Sequence, residues 1–153
     1  MMLVIYFVTS VWATASVSNV GFVWPLDPLG ITSLFGPRLD PIHDKKRFHE
    51  GIDFDAPYGS FVVAAASGSV VFANWHKGHG RSVVIDHGNG LVTRYAHLSQ
   101  IIALPKSSVS AGEKIGRVGN SGRSTGPHLH FEILQDNIPL DPLIWLEKAV
   151  LIE

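Results

Sequence analysis

The sequence predicts a mostly β protein, a compact antiparallel sheet or sandwich with at most a short helix at its C-terminal end. Three observations point there. Turn-makers are dense, with 15 glycines and 9 prolines in 153 residues, which favours short strands over long helices. Short β-type runs between those turns occupy most of Ile31 to Ile138. No segment before Pro142 keeps a helical period over three turns. The length suits a single domain with one core.

The elements follow in order. Phe61–Ala65 and Ser69–Asn74 are short strands divided at Ser67-Gly68. Ser82–Asp86 and Leu91–Tyr95 flank His87-Gly88-Asn89-Gly90, a hairpin with a turn-favouring tip. Lys114–Val118 is a strand leading into Gly119-Asn120-Ser121-Gly122, and His128–Leu134 is another. Pro142–Val150 is the one candidate helix. No internal repeat or low-complexity linker interrupts this order.

Residues 1–26 carry no charge; Asp27 is the first charged side chain. Met1–Val8 is apolar, and Ala13-Thr14-Ala15 fits a small-residue cleavage site. The segment reads as a signal-like or truncated leader ahead of a domain over 27–153, although no Lys or Arg precedes the apolar run. Polar residues from Thr9 to Asn19 thin it below the roughly 20 apolar residues of a spanning helix, so no stable membrane span is expected. An exported chain is the expectation.

Composition removes several function classes. Lys plus Arg number 12 against 13 Asp plus Glu, a formal charge of −1. A chain without a basic field has no means of holding a nucleic-acid backbone. Cysteine is absent, and with it disulfides, thiolate metal sites and cysteine nucleophiles. Gly-x-Ser-x-Gly is missing, as is the helical zinc signature His-Glu-x-x-His. Gly119–Gly126 lacks the Gly-Lys-Ser/Thr of a phosphate loop and reads as groove wall.

Histidine is the outlier, with eight residues. In His128-Leu129-His130, a strand projects both imidazoles to one face and Leu129 to the other. His49 and Asp53 are four apart and share a face in a strand, with Ile52 and Phe54 toward the core; Gly51 between them disfavours a helix. A histidine, an aspartate and one imidazole of the His128/His130 pair make three protein ligands of the kind zinc accepts, leaving a fourth position for water. His97, at the end of a predicted strand, is a further imidazole able to accept a proton or hold an oxyanion. His43, His76 and His79 lie in polar or glycine-rich stretches and are expected at the surface or groove edge, and His87 in a turn. Arg38 suits either a substrate carboxylate or a structural ion pair.

From about Ile31 to Leu146 the chain resembles the LytM/lysostaphin-type zinc metallopeptidases, the endopeptidases that cleave peptidoglycan. The resemblance rests on Ser33-Leu34-Phe35-Gly36-Pro37-Arg38, Phe48-His49-Glu50-Gly51-Ile52-Asp53-Phe54, Tyr95-Ala96-His97-Leu98, Gly119–Gly126, Pro127-His128-Leu129-His130-Phe131-Glu132 and Asp141-Pro142. It implies a mostly antiparallel β fold with the metal in a groove across the sheet. It implies one Zn²⁺ per chain on His49, Asp53 and His130, with His97 and His128 as the catalytic histidines. It also implies peptidoglycan peptides as substrate, cut by a zinc-activated water, and with them an exported chain that is periplasmic or associated with the cell wall. Asp55 shares the strand parity of Asp53, but the frame Asp53-Phe54-x-Ala56-Pro57 assigns the ligand to Asp53. The alternatives are a wall-associated module of the same fold that binds or activates other hydrolases, and a zinc-dependent polymer binder; the intact pair His97 and His128 argues for chemistry. The bond cut and the oligomeric state are open at this level.

Overall fold

The computed structural model describes residues 21–27, 30–39 and 45–150, with side chains to 147. The proposed leader up to residue 20, and His43, lie outside the described residues. The largest sheet has eight strands. Its path runs β1 (Gly30–Ser33), β4 (Ile52–Asp55), β12 (His128–Gln135), β8 (Leu91–Leu98), β7 (Gly80–Asp86), β6 (Gly68–His76) and β10 (Ser108–Val109), with β13 (Ile138–Leu140) also on β12. A three-stranded sheet orders β5 (Phe61–Val63), β11 (Lys114–Arg117) and β9 (Gln100–Ile101). A separate hairpin pairs β2 (Gly36–Leu39) with β3 (Lys46–His49). These pairings are antiparallel, and the sole helix among the described residues is α1 (Pro142–Val150). The mostly β fold and the terminal helix expected from the sequence are therefore present.

The core joins both larger sheets. Val62 and Ile115 from the small sheet cluster with Phe54, Val83, Ile85 and Phe131 from the large one. Phe22 and Leu26 are buried in the same cluster, and the backbone at Val23 and Val63 ties that segment to Ala65 and Pro25. Leu146 of α1 is fully buried.

The β4–β12 ladder is the part that makes a site. Its register pairs Phe131 with Ile52 and Leu129 with Phe54, all fully buried. Full burial of side chains of this size stabilises by about 1.5–3 kcal/mol each. The alternate pairs are His130 with Asp53 and His128 with Asp55. A slip of one residue would bring the imidazoles into the core and the apolar side chains into the groove, so burial on one face sets the polar constellation on the other. Gly51 lies so close to β12 that a Cβ there would meet the Phe131 carbonyl oxygen at 2.3 Å. That close approach is the reason for glycine immediately before β4.

His87 has a larger role than its turn. Its Nδ1–H donates to the Ser67 carbonyl at 2.8 Å, and its Nε2 lies 2.8 Å from the Thr93 hydroxyl. Thr93 in turn meets the buried Tyr95 hydroxyl at 3.0 Å.

Candidate active site

The sheet alone does not bring His49 to Asp53. His49 ends β3 in the separate hairpin, whereas Asp53 belongs to β4 of the large sheet. The two-residue link Glu50-Gly51 carries the chain from one to the other, so strand parity, which holds only within one strand, is not what aligns them. Their side chains converge all the same. His49 Nε2 lies 3.1 Å from Asp53 Oδ1 and 3.0 Å from His130 Nδ1, and His130 Nδ1 lies 2.8 Å from Asp53 Oδ1. All three residues are buried.

The outward-facing ring nitrogens settle which atoms point inward. His49 Nδ1 lies 2.8 Å from the Leu34 carbonyl and His130 Nε2 lies 2.9 Å from Glu132 Oε1. A carbonyl or carboxylate only accepts, so these nitrogens carry protons, and in the neutral rings the inner nitrogens are the lone-pair atoms. Arg38 donates to Asp53 Oδ2 at 3.2 Å and to Ser33 Oγ at 2.6 Å, an ion pair of the structural kind that leaves Oδ1 facing the imidazoles. Three lone-pair atoms at 2.8–3.1 Å require a cation or a proton among them. The charge environment agrees. Burial pushes the Asp53 carboxyl up, but hydrogen bonds and charge from His130 and His49 outweigh it and hold it well below the usual range. Burial pushes His130 down, but its bonds to Asp53 and Glu132 prevail and raise it to about 9. The pocket favours positive charge. Two nitrogens and one carboxylate oxygen are the donor set zinc takes, and a tetrahedral ion with bonds of about 2.05 Å places its ligands about 3.3 Å apart. A small outward movement of these side chains meets that requirement.

Two more imidazoles face the same groove. His128 Nδ1 donates to the Gly126 carbonyl at 2.8 Å, and its Nε2 lies 3.8 Å from Asp53 Oδ1. His97 Nδ1 donates to the Ser121 carbonyl at 2.7 Å. The rings of His97 and His128 are 4.8 Å apart, and those of His97 and His130 are 5.9 Å apart. Both anchoring carbonyls belong to the Gly119–Gly126 segment, whose role as groove wall thus extends to orienting both rings. Burial drives His97 down to about 4, with further lowering from the neighbouring imidazoles and a partial offset from the Ser121 bond. It is neutral at neutral pH.

His97 reaches the groove by a backbone irregularity. The β8–β12 ladder ends at Ala96, and the β7–β8 register shifts between Arg81 and Val83. Regular alternation would send His97 to the same side as Tyr95, which is fully buried. Instead His97 has φ +60, with its N–H on the His79 carbonyl at 2.8 Å. A left-handed non-glycine residue carries strain that the surrounding contacts must hold.

Asp55 stays exposed and outside the converging donors, while Asp53 is inside them. Sequence reasoning assigned no role to Glu132, although its period-two spacing from His128 and His130 was visible. Its side chain is fully buried, receives N–H bonds from His130 and His79 on Oε1, and is paired with Arg94 on Oε2 at 2.7 Å. His79 lines the groove and His76 is exposed.

A family model, Peptidase family M23, matches residues 47–142. The chain belongs to peptidase family M23. This is the outcome the motif resemblance implied. The DD-carboxypeptidase/endopeptidase Mpg of Neisseria meningitidis is 45% identical over 119 residues, 78% of this chain and 27% of the relative. The peptidoglycan DD-endopeptidase ShyA of Vibrio cholerae is 43% identical over 114 residues, 74% of this chain and 26% of the relative. The chain thus spans about a quarter of the length of these curated relatives. A zinc containing peptidase from Vibrio cholerae, known from its crystal structure, superposes with a TM-score of 0.73 at 39% identity, covering 79% of this chain and 39% of that one. No described helix is long and apolar enough to cross a membrane.

Proposed function

We propose that this M23 chain is a zinc endopeptidase that hydrolyses peptide bonds in peptidoglycan, with His49, Asp53 and His130 holding one zinc ion and His97 and His128 carrying protons. The observation behind it is the juxtaposition of the three converging donor atoms with two further imidazoles whose inner nitrogens are lone pairs. Relatives named for peptidoglycan cleavage and a zinc-containing structural neighbour support the substrate and the metal. Such a substrate lies outside the cytoplasmic membrane, so the working enzyme is periplasmic or wall-associated.

When bound, zinc supplies a Lewis acid that polarises the scissile carbonyl and makes water a nucleophile at neutral pH. The chain's own groups do the remainder. Arg38 fixes the Asp53 carboxylate, and the Leu34 carbonyl and Glu132 fix the rings of His49 and His130. In the neutral ring His97 and His128 each accept at Nε2, because Ser121 and Gly126 hold their Nδ1 protons. Whichever takes the proton of the attacking water becomes an imidazolium, able to donate to the developing oxyanion or to the leaving amine.

The deciding experiment is digestion of purified cell-wall sacculi by the untagged protein, with and without a zinc chelator, reading the released peptides by mass spectrometry. New amine termini that vanish with chelator and return with zinc are expected. A zinc-loaded, folded protein that opens no peptide bond would leave the binding-module reading in its place.

A further inference from the structure

The turn between β6 and β7 carries two imidazoles that the groove chemistry does not use as ligands. His76 ends β6 and His79 immediately precedes β7, with Gly78 at φ +85 between them. The turn sets the rings with centroids 5.0 Å apart and the two Nδ1 atoms 3.1 Å apart. His79 is oriented from behind: its Nε2 lies 3.1 Å from Glu132 Oε1. The carboxylate accepts, so the proton is on Nε2 and the Nδ1 lone pair faces His76. His76 Nδ1 also lies 3.1 Å from the Lys77 carbonyl. The carbonyl accepts and the His79 Nδ1 is a lone pair, so His76 Nδ1 carries the proton between them; its Nε2 has no hydrogen-bond partner among the described residues, and a metal at Nδ1 moves the proton to Nε2 in exchange for the Lys77 and His79 hydrogen bonds.

We propose that His76 and His79 form a second metal site that takes a borderline divalent transition ion, zinc or copper, through their two Nδ1 atoms, with water at the remaining positions. The spacing suits it: with metal–nitrogen bonds of about 2.05 Å, a separation of 3.1 Å corresponds to an angle of about 98° at the ion. Glu132 behind His79 forms the carboxylate–imidazole–metal arrangement that orients a ligand ring and raises its basicity. Neutral imidazole donors select zinc or copper over calcium or magnesium, which take oxygen. Two protein ligands make this the weaker of the chain's two sites, and copper binds it more tightly than zinc. It uses different coordinating atoms from the His49–Asp53–His130 cluster and stands whether or not that cluster binds zinc.

The test is equilibrium dialysis of the untagged chain against rising zinc with metal analysis, comparing wild type with His76→Ala. His76 is exposed at a strand end, and near-ultraviolet circular dichroism checks that the fold is kept. Wild type should bind one equivalent more than the variant: two against one if the groove cluster also binds, one against none if it does not. The His79 Nδ1 signal in long-range ¹H–¹⁵N spectra should shift with that additional equivalent in wild type only. Equal stoichiometry in the two proteins, or a His79 Nδ1 signal that zinc leaves unmoved, overturns the proposal.

Discussion

Glu132→Gln isolates the contribution of a residue that stands behind the converging donors. The carboxylate is fully buried and serves two sides, with Oε1 receiving N–H bonds from His130 and His79 and Oε2 facing Arg94 at 2.7 Å. Its carboxyl is pushed up by burial but held well below the ordinary range by these partners, so it is an anion at neutral pH. Glutamine has nearly the same shape but only one acceptor oxygen. Either its amide hydrogens face Arg94, donor against donor, or they face the two imidazole N–H groups. In the second case His130 loses the carboxylate that raises its basicity. Loss of such a partner lowers metal affinity by about 10–100-fold, or about 1.4–2.7 kcal/mol. In the first case the lost charge-assisted bond appears as about 1.5–3 kcal/mol of fold stability. Zinc affinity from chelator competition at neutral pH, and urea unfolding of the metal-free protein, read the two separately. Wild-type values in both measurements would refute the reasoning, because no orientation of the amide satisfies all the donors.

Three further outcomes follow from the geometry. His130→Ala should lose zinc and turnover together, whereas His97→Ala should keep zinc by metal analysis and lose about 10²–10⁴-fold in rate; zinc release from the His97 variant would reverse the assignment. Asp53→Ala should abolish zinc binding in a titration, and Asp55→Ala should leave it near wild type, since Asp55 is exposed and outside the converging donors. Stability should fall on acidification partly through His87, where burial outweighs the Ser67 bond and the nearby Asp86 and lowers the pKa from 6.5. The neutral ring is the one the fold favours, so its contribution is complete above about 6.5 and is lost as pH falls through the lowered folded value. Thermal midpoints across that range should slope less in His87→Gln than in wild type.

Much of this site was legible in the sequence because strand alternation is a local property. His128-Leu129-His130-Phe131-Glu132 states by itself which side chains share a face, and the register confirms it, with Leu129 and Phe131 buried against Phe54 and Ile52. The turn glycines and the one terminal helix were equally local. What alternation cannot report is how separate segments meet. His49 and Asp53 share a site across two different sheets, not by strand parity. His97 enters the groove only because the backbone turns left-handed there, held by the carbonyl of His79 and by Ser121. The carbonyls of Leu34, Ser121 and Gly126 decide which nitrogen of each ring is free, and backbone groups leave no signature in residue identity. Glu132 acquires its role from Arg94 on the neighbouring strand and His79 on a distant turn. The sequence by itself determined the donor types and the faces within single strands. Only the tertiary structure decided their convergence and tautomers, because both depend on contacts between segments far apart in the chain.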